Sequence, residues 1–354
     1  MTLYLILFSF PAWFAVSKRK PILPKSMQSL QWQLALILIM LIVGLRDEVG
    51  TDWGNYLGHI ERASSLDWWS AMLDNDPAYG LLNWIGARFG GMYFVNMVCA
   101  VPFALGLASF CRAQPRPWLT LAVAIPYLVI VVAMGYNRQG VAIGLAMLGL
   151  VALEQGGMLR FFIWIACAAL FHKSAVILVP LAVFAGSKNR FMMFFGVCVV
   201  GAVLYVLLLQ ESVDVLLHTY IEAEYNSSGA MIRIVMNALP AVFYLWFQKR
   251  FDLPEAQRNF WSWMAWGAIV FVLLLAVSPS STAVDRVALY WIPVQLFVWS
   301  RLPDSLGRVG QTRSLLVVAV VGYSAAVLLV WLFFADNAFA WLPYKFYPWE
   351  VLWQ

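Results

Sequence analysis

The chain has 354 residues, of which 63% are hydrophobic and only 12% are charged, and it carries a formal net charge of +5. A soluble domain is usually about 45–50% apolar and about 25% charged, so the composition excludes a cytosolic enzyme, a nucleic-acid binder and a secreted disulfide module. Several apolar stretches approach the ~20 residues that a helix needs to cross a bilayer. The sequence therefore predicts an all-α, polytopic transmembrane protein.

Hydropathy predicts about twelve spans, which form a single integral membrane domain over residues 1–354. In chain order the spans lie near 2–16, 30–45, 91–110, 118–136, 138–153, 158–171, 173–186, 191–210, 231–247, 260–277, 284–300 and 315–334. Residues 77–88 are predicted as a short helix at the membrane interface. Two larger outer segments, 46–80 and 211–230, are expected to cap the outer side together with the tail 335–354.

The basic residues predict the orientation. If the loop 17–29 lies in the cytoplasm, most of the 23 Lys and Arg residues fall on the same side, and most of the 18 Asp and Glu residues fall on the other. This is the distribution that the positive-inside rule describes. The spans 158–171 and 173–186 are short, since about 14 residues reach only ~21 Å at 1.5 Å per residue. Either these helices extend into their flanks, or they form a re-entrant hairpin, or His172 between them is recessed below the outer surface. We expect His172 to line an outward-facing cavity.

Four arginines lie at the outer mouths of spans, where basic residues should be scarce: Arg46, Arg138, Arg233 and Arg286. A charge at membrane depth is costly and is a functional hypothesis by default. Arginine offers a rigid fork of donors that suits phosphate oxygens, and the last three lie near helix N-termini, which favour an anion. Together they predict a cradle for a diphosphate. Each arginine alone could instead snorkel or pair with an acid, such as Asp285 beside Arg286.

Two further polar segments contain candidate site residues. His172, with Lys173 beside it, is either a base, a phosphate-contacting donor or an ordinary core histidine. Asp52 and Tyr56 follow a glycine turn in RDEVGTDWGNY, where they suit sugar or phosphate contacts unless the segment is an ordinary acidic loop. No second His or Cys lies three or four residues from His172, so we expect no metal ion and no cofactor.

Five short motifs resemble those of the EpsG/Wzy family of polysaccharide polymerases, in the same order and with similar spacing. They are Arg46, Asp52 and Tyr56 in LRDEVGTDWGNY, Arg138–Gln139 at the start of a span, Phe171–His172 followed by Ser174 and Ala175, Asp285–Arg286 with Tyr290, and Pro343–Tyr344 near the C-terminus. The resemblance extends over about residues 30–350.

The resemblance implies a GT-C-like membrane glycosyltransferase at the outer face of the bacterial inner membrane. Such proteins transfer a growing glycan from its undecaprenyl diphosphate carrier onto another carrier-linked repeat unit. The expected partners are these donor and acceptor lipids, membrane lipid, and a chain-length regulator and a flippase of the same pathway. The catalytic residues would be His172, Asp52 and Arg286. The diphosphate and substrate would contact Arg46, Arg138, Arg233, Arg286, Tyr56, Gln139, Tyr290 and Tyr344.

Three other functions are weighed against polymerisation. An O-antigen ligase would use similar chemistry but usually has one large outer loop, whereas the outer segments here are modest. A lipid-linked oligosaccharide flippase would expose its cationic site to both sides, whereas the unexplained arginines lie on one side. A membrane O-acyltransferase would need a cytoplasmic acyl-donor site, for which the sequence has no signal. Asp285 and Glu224 are weaker alternatives for the base.

Overall fold

The computed structural model describes residues 1–17, 25–181, 229–307 and 311–352, with the backbone alone at 25–29 and 311. The predicted span 191–210 lies outside the described residues, and so do most of the predicted outer segment 211–230 and Glu224. The number of spans and the single domain therefore stay predictions.

Nine α-helices occupy the described chain up to residue 181. They are α1 (Thr2–Val16), α2 (Lys25–Gly44), α3 (Trp53–Ser65), α4 (Trp68–Leu73), α5 (Pro77–Gly86), α6 (Gly91–Ala113), α7 (Pro117–Ala124), α8 (Asn137–Glu154) and α9 (Met158–Phe171). A π-helical stretch, Ile125–Ala133, continues α7, and a 3₁₀ helix, Lys173–Leu178, follows α9.

The described chain after residue 228 is also mainly helical. Its helices are α10 (Ala230–Phe247), α11 (Glu255–Val277), α12 (Ser281–Ala288), α13 (Ile292–Leu306), α14 (Gln311–Phe334) and α15 (Tyr347–Leu352). Short 3₁₀ helices lie at Gln248–Arg250, Leu289–Trp291 and Ala338–Trp341.

Among the described residues, four helices are long and apolar enough to cross a membrane: Gly91–Ala113, Ala230–Arg250, Glu255–Val277 and Thr312–Phe334. Shorter apolar helices lie at Thr2–Val16, Leu30–Gly44, Pro117–Ala133 and Met158–Phe171. Large apolar side chains such as Trp246, Leu273 and Phe333 are exposed on these helices, as a lipid-facing surface requires. The prediction of an all-α, multi-pass membrane protein is confirmed.

One predicted element starts differently. The prediction places an apolar span near 173–186, but residues 173–178 form a 3₁₀ helix. Pro180 explains the difference, because it has no backbone N–H to continue an α-helical ladder through this turn. The remainder of that span, from residue 182, lies outside the described residues.

Helices α6 and α8 pack with their backbones in close contact. A Cβ added at Gly106 would lie 1.9 Å from the Gly144 carbonyl oxygen, and one at Gly144 would lie 2.4 Å from the Phe103 Cα. Small residues permit such an approach between membrane helices. This packing fixes α8, whose first residues enter the candidate site.

A two-stranded antiparallel ladder attaches the tail to the end of α2. Strand β1 (Arg46–Asp47) pairs with β2 (Lys345–Phe346), with Arg46 opposite Phe346. Asp47 accepts a 2.7 Å hydrogen bond from the Tyr93 hydroxyl, and Lys345 pairs with Glu48. The ladder holds the tail beside the turn that leads to α3.

Candidate active site

Asp52 and Arg286 form the centre of a polar cluster. Asp52 immediately precedes α3 and follows Gly50, whose φ of +106° is a conformation that favours glycine. One Asp52 carboxylate oxygen lies 3.8 Å from Arg286 Nη2, and the side chains are 27% and 31% exposed. The contact is long and both groups reach solvent, so the two charges attract each other without forming a closed pair.

Arg286 is positioned by the residues that start α8. Its guanidinium carbon lies 3.9 Å from the centroid of the Tyr136 ring, a cation–π contact. Gln139 Nε2 donates to the Arg286 backbone carbonyl. The predicted Gln139 therefore lies at the site, where it holds the helix that carries Arg286.

Arg138 is a second partly exposed arginine of this cluster. Its Nη1 contacts Asp76 Oδ2 at 3.1 Å and also donates to Asn75 Oδ1, and its side chain remains 30% exposed. Asn75 Nδ2 lies 3.1 Å from His59 Nδ1. Arg138 is thereby joined to α3 and to the start of α5.

His172 lies at the end of α9, next to this network. Ser174 Oγ is 2.7 Å from His172 Nδ1 and 3.4 Å from the hydroxyl of buried Tyr290. The backbone N–H of Lys173 donates to Asp76 Oδ1 at 3.1 Å. Asp76 therefore connects Arg138 to the backbone beside His172.

Burial and positive charge act in opposite directions on the carboxylates outside the spans. Burial raises the pKa of Asp52, and the charges of Arg286 and Arg138 oppose that rise. Burial also raises the pKa of Asp76, again opposed by Arg138 and by the Lys173 N–H. Both arginines are thus close enough to Asp52 to offset part of the effect of burial on its pKa.

Arg233 and Arg46, the other two predicted diphosphate ligands, are placed differently. Arg233 makes a two-pronged pair with Asp285, Nε to Oδ1 at 2.8 Å and Nη2 to Oδ2 at 2.7 Å, and is 15% exposed. Arg46 is 0% exposed and its Nη1 donates to the Val43 carbonyl. Neither guanidinium is presented to solvent as those of Arg138 and Arg286 are.

Two predicted tyrosines have their hydroxyls bonded to backbone. The Tyr56 hydroxyl accepts a 2.9 Å hydrogen bond from the Asn137 N–H, and Tyr344 donates to the Ile42 carbonyl at 2.8 Å. These bonds hold the start of α8 to α3 and the tail to α2. The structure therefore brings Tyr56 close to the cluster but gives Tyr344 a place in the tail contact.

Several residues of the cluster were not predicted: His59, Asn75, Asp76, Tyr136 and Ser174. The clearest signal in the sequence is the Asp76–Pro77 pair, but Asp at a helix start followed by Pro is an ordinary capping pattern and predicts only a helix start. Asp76 instead directs its carboxylate to Arg138 and Lys173. Within 1–17, 25–181, 229–307 and 311–352, no group of three or more His, Cys, Asp or Glu side chains is placed to hold a metal ion.

The fold and the cluster define a class: a multi-pass helical membrane protein with an arginine–carboxylate site at the ends of its helices. A family model described as the EpsG family matches residues 30–346. The chain belongs to the EpsG family, as the five motifs predict. No curated protein and no solved structure matches the chain. Membership supports a polysaccharide polymerase in general.

Proposed function

We propose that this protein polymerises lipid-linked oligosaccharide repeat units at the outer face of the bacterial inner membrane, with a GT-C-like architecture. The growing glycan leaves its undecaprenyl diphosphate carrier and joins the carrier-linked acceptor unit. The observation that carries the proposal is the pair of partly exposed arginines, Arg138 and Arg286, beside Asp52.

Arg286 and Arg138 bind the diphosphate of the donor. Within the part of the chain that the structure describes, the Arg286 guanidinium has only a 3.8 Å ion contact and an aromatic face against it, so its donors are available for phosphate oxygens. Diphosphate binding at these two side chains places the anomeric carbon next to Asp52. Arg233 supports this arrangement through Asp285, which precedes Arg286, and Arg46 supports it through the β1–β2 ladder.

The reaction forms one bond and breaks one bond. The acceptor hydroxyl oxygen attacks the anomeric carbon while the bond between that carbon and the diphosphate oxygen breaks. Both bonding electrons leave with the carrier diphosphate, whose added negative charge the two arginines stabilise. The acceptor hydroxyl gives its proton to a base.

Asp52 is the base in this proposal. It is partly exposed, it precedes α3, and it lies beside Arg286, where it takes the proton of the acceptor hydroxyl next to the donor that Arg286 holds. His172, oriented by Ser174, contacts the donor as a hydrogen-bond donor. Gln139 and Tyr290 hold Arg286 and the Ser174 hydroxyl in place.

The test is elongation by the purified protein in lipid nanodiscs. The substrate is the cognate undecaprenyl-diphosphate-linked oligosaccharide, supplied without nucleotide sugar and with EDTA. We expect a ladder of longer carrier-linked chains, and we expect Arg286→Ala to slow elongation by about 10²–10³-fold, as for loss of one donor to a developing anion.

Arg62→Ala is the matched control, because Arg62 is a 62% exposed arginine that pairs with Asp74 at 3.6 Å. It should elongate at the wild-type rate. If the wild-type protein moves the lipid-linked oligosaccharide across the membrane of vesicles but never lengthens its glycan, the proposal is overturned in favour of a flippase. Transfer of the chain to a lipid A core acceptor alone would instead identify a ligase.

A further inference from the structure

Trp341, in the tail after α14, is fully buried, and its side chain has one polar group, the indole N–H. It closes the 3₁₀ helix Ala338–Trp341 and is 0% exposed. Its indole N–H donates a 2.8 Å hydrogen bond to the Ile130 carbonyl, inside the π-helical stretch Ile125–Ala133. An indole N–H is a donor only, so a buried tryptophan needs such an acceptor.

The ring of Trp341 lies against the backbone that leads into the site. A Cβ built on Gly135 would lie 2.6 Å from Trp341 Cζ2 and 2.9 Å from Cη2. Gly135 directly precedes Tyr136, whose ring supports Arg286, and lies three residues before Arg138. The position of the indole ring therefore sets the position of the backbone at Gly135, just before Tyr136 and Arg138.

The residue before Trp341, Ala340, holds the turn that precedes Asp52. The Ala340 carbonyl accepts a 2.8 Å hydrogen bond from the Gly50 N–H, two residues before Asp52. Gly50 itself lies against the backbone that precedes Gly135, since a Cβ built on Gly50 would be 2.9 Å from the Met134 carbonyl oxygen. The Trp341 carbonyl is fixed in turn by the Tyr4 hydroxyl at 2.9 Å.

We propose that Trp341 is a positioning residue that sets the separation between the Asp52 turn and the Tyr136–Gln139 segment. The inference rests on the proposed glycosyl transfer. Trp341 touches no substrate. It acts because its rigid, hydrogen-bonded ring joins the tail to the π-helical stretch and to the backbone before Arg138, while the carbonyl of the preceding Ala340 holds the turn before Asp52.

The test compares kcat and KM for elongation in Trp341→Phe and wild type. Phe keeps an aromatic ring but loses the N–H donor and the outer indole atoms. We expect kcat to fall about 10- to 100-fold, because a displacement near 1 Å costs about that much, with KM for the carrier-linked donor within about threefold. Trp261→Phe is the matched control, since Trp261 is equally buried and donates to Glu154. It should keep the wild-type kcat.

Gly135→Ala supplies an independent arm. Its methyl group collides with the indole ring, so Gly135→Ala alone should lower kcat, and Gly135→Ala combined with Trp341→Phe should recover part of that loss. The positioning role is overturned if wild type elongates and Trp341→Phe has the same kcat as wild type. It is also overturned if the double variant recovers none of the kcat that Gly135→Ala loses. No elongation by wild type overturns the proposed function, and this inference with it.

Discussion

Arginine–carboxylate clusters of opposite character lie near the two ends of α13. At its C-terminal end, Arg116 donates two hydrogen bonds of 2.8 Å to the Asp304 carboxylate, and Arg313 Nε lies 3.3 Å from the same carboxylate. Beyond its N-terminal end, Arg286 meets Asp52 by one contact of 3.8 Å. A closed fork ties helices together, whereas an open contact leaves donors for a ligand.

The same contrast appears between two neighbouring residues of α12. Asp285 is closed in the fork of Arg233, while Arg286, one position later, points to the more exposed Asp52. Sequence position at a helix end therefore does not decide whether an arginine is held in a closed ion pair. The partner it finds in the fold decides this, and variants on each side of the contrast should behave differently.

Asp52→Asn should have the largest effect on turnover. It keeps the shape of the side chain but removes the base, so kcat for elongation should fall by about 10²–10⁴-fold. Asp74→Asn, which alters an acid of the surface pair with Arg62, is the control and should keep the wild-type rate. Retention of more than a tenth of the wild-type kcat by Asp52→Asn would remove Asp52 from the role of base.

Arg233→Ala should have the largest effect on stability. It leaves the buried Asp285 carboxylate without its fork, which typically costs about 3–5 kcal/mol. Unfolding of the purified protein in detergent measures the loss, and the double variant Arg233→Met with Asp285→Leu should recover most of it. A variant that unfolds like wild type but cannot bind donor would instead make Arg233 a diphosphate ligand, as the sequence predicts.

Arg286→Gln should change the pH dependence of turnover. Asp52 must be ionised to accept a proton, burial raises its pKa, and the positive charge of Arg286 opposes that rise. Removal of the charge raises the pKa further, so activity should be lost at a higher pH on acidification. The measurement is kcat against pH for the two proteins. An acidic limb that stays in place or moves to lower pH contradicts this electrostatic coupling.

Arg116→Ala should have the smallest effect. Its ion pair with Asp304 is partly exposed, and such pairs contribute at most about 1 kcal/mol, less at high salt. The unfolding temperature in detergent should fall slightly at low salt and by less at high salt, while kcat stays at the wild-type value. A large loss of kcat would show that the two clusters do not differ in the way described.

The sequence predicts the helices well because their apolar runs are local. The prediction of 158–171 matches α9 at Met158–Phe171, and 2–16 matches α1 at Thr2–Val16. The β1–β2 ladder joins two-residue strands almost 300 positions apart, so no local sequence pattern predicts it. The π-helical stretch Ile125–Ala133 is likewise invisible, since its residues are as apolar as those of an ordinary helix.

The site divides in the same way. Asp52, Arg138, His172 and Arg286 are predicted from their types and positions, and the structure brings them to one network. Arg46 shows the limit, because a helix-end arginine that reaches solvent and one that is buried have the same sequence pattern. Asp76 shows another limit, since its bond to Arg138 joins residues 62 positions apart.

The most direct test of the proposed diphosphate site is binding of undecaprenyl diphosphate itself to purified protein in nanodiscs. The two double variants Arg138→Ala with Arg286→Ala and Arg116→Ala with Arg313→Ala each remove two positive charges, one pair from each cluster. We expect the first to lower affinity at least about tenfold, as loss of charge-assisted hydrogen bonds does, and the second to bind like wild type. Equal losses in both variants, or no loss in the first, would contradict the account.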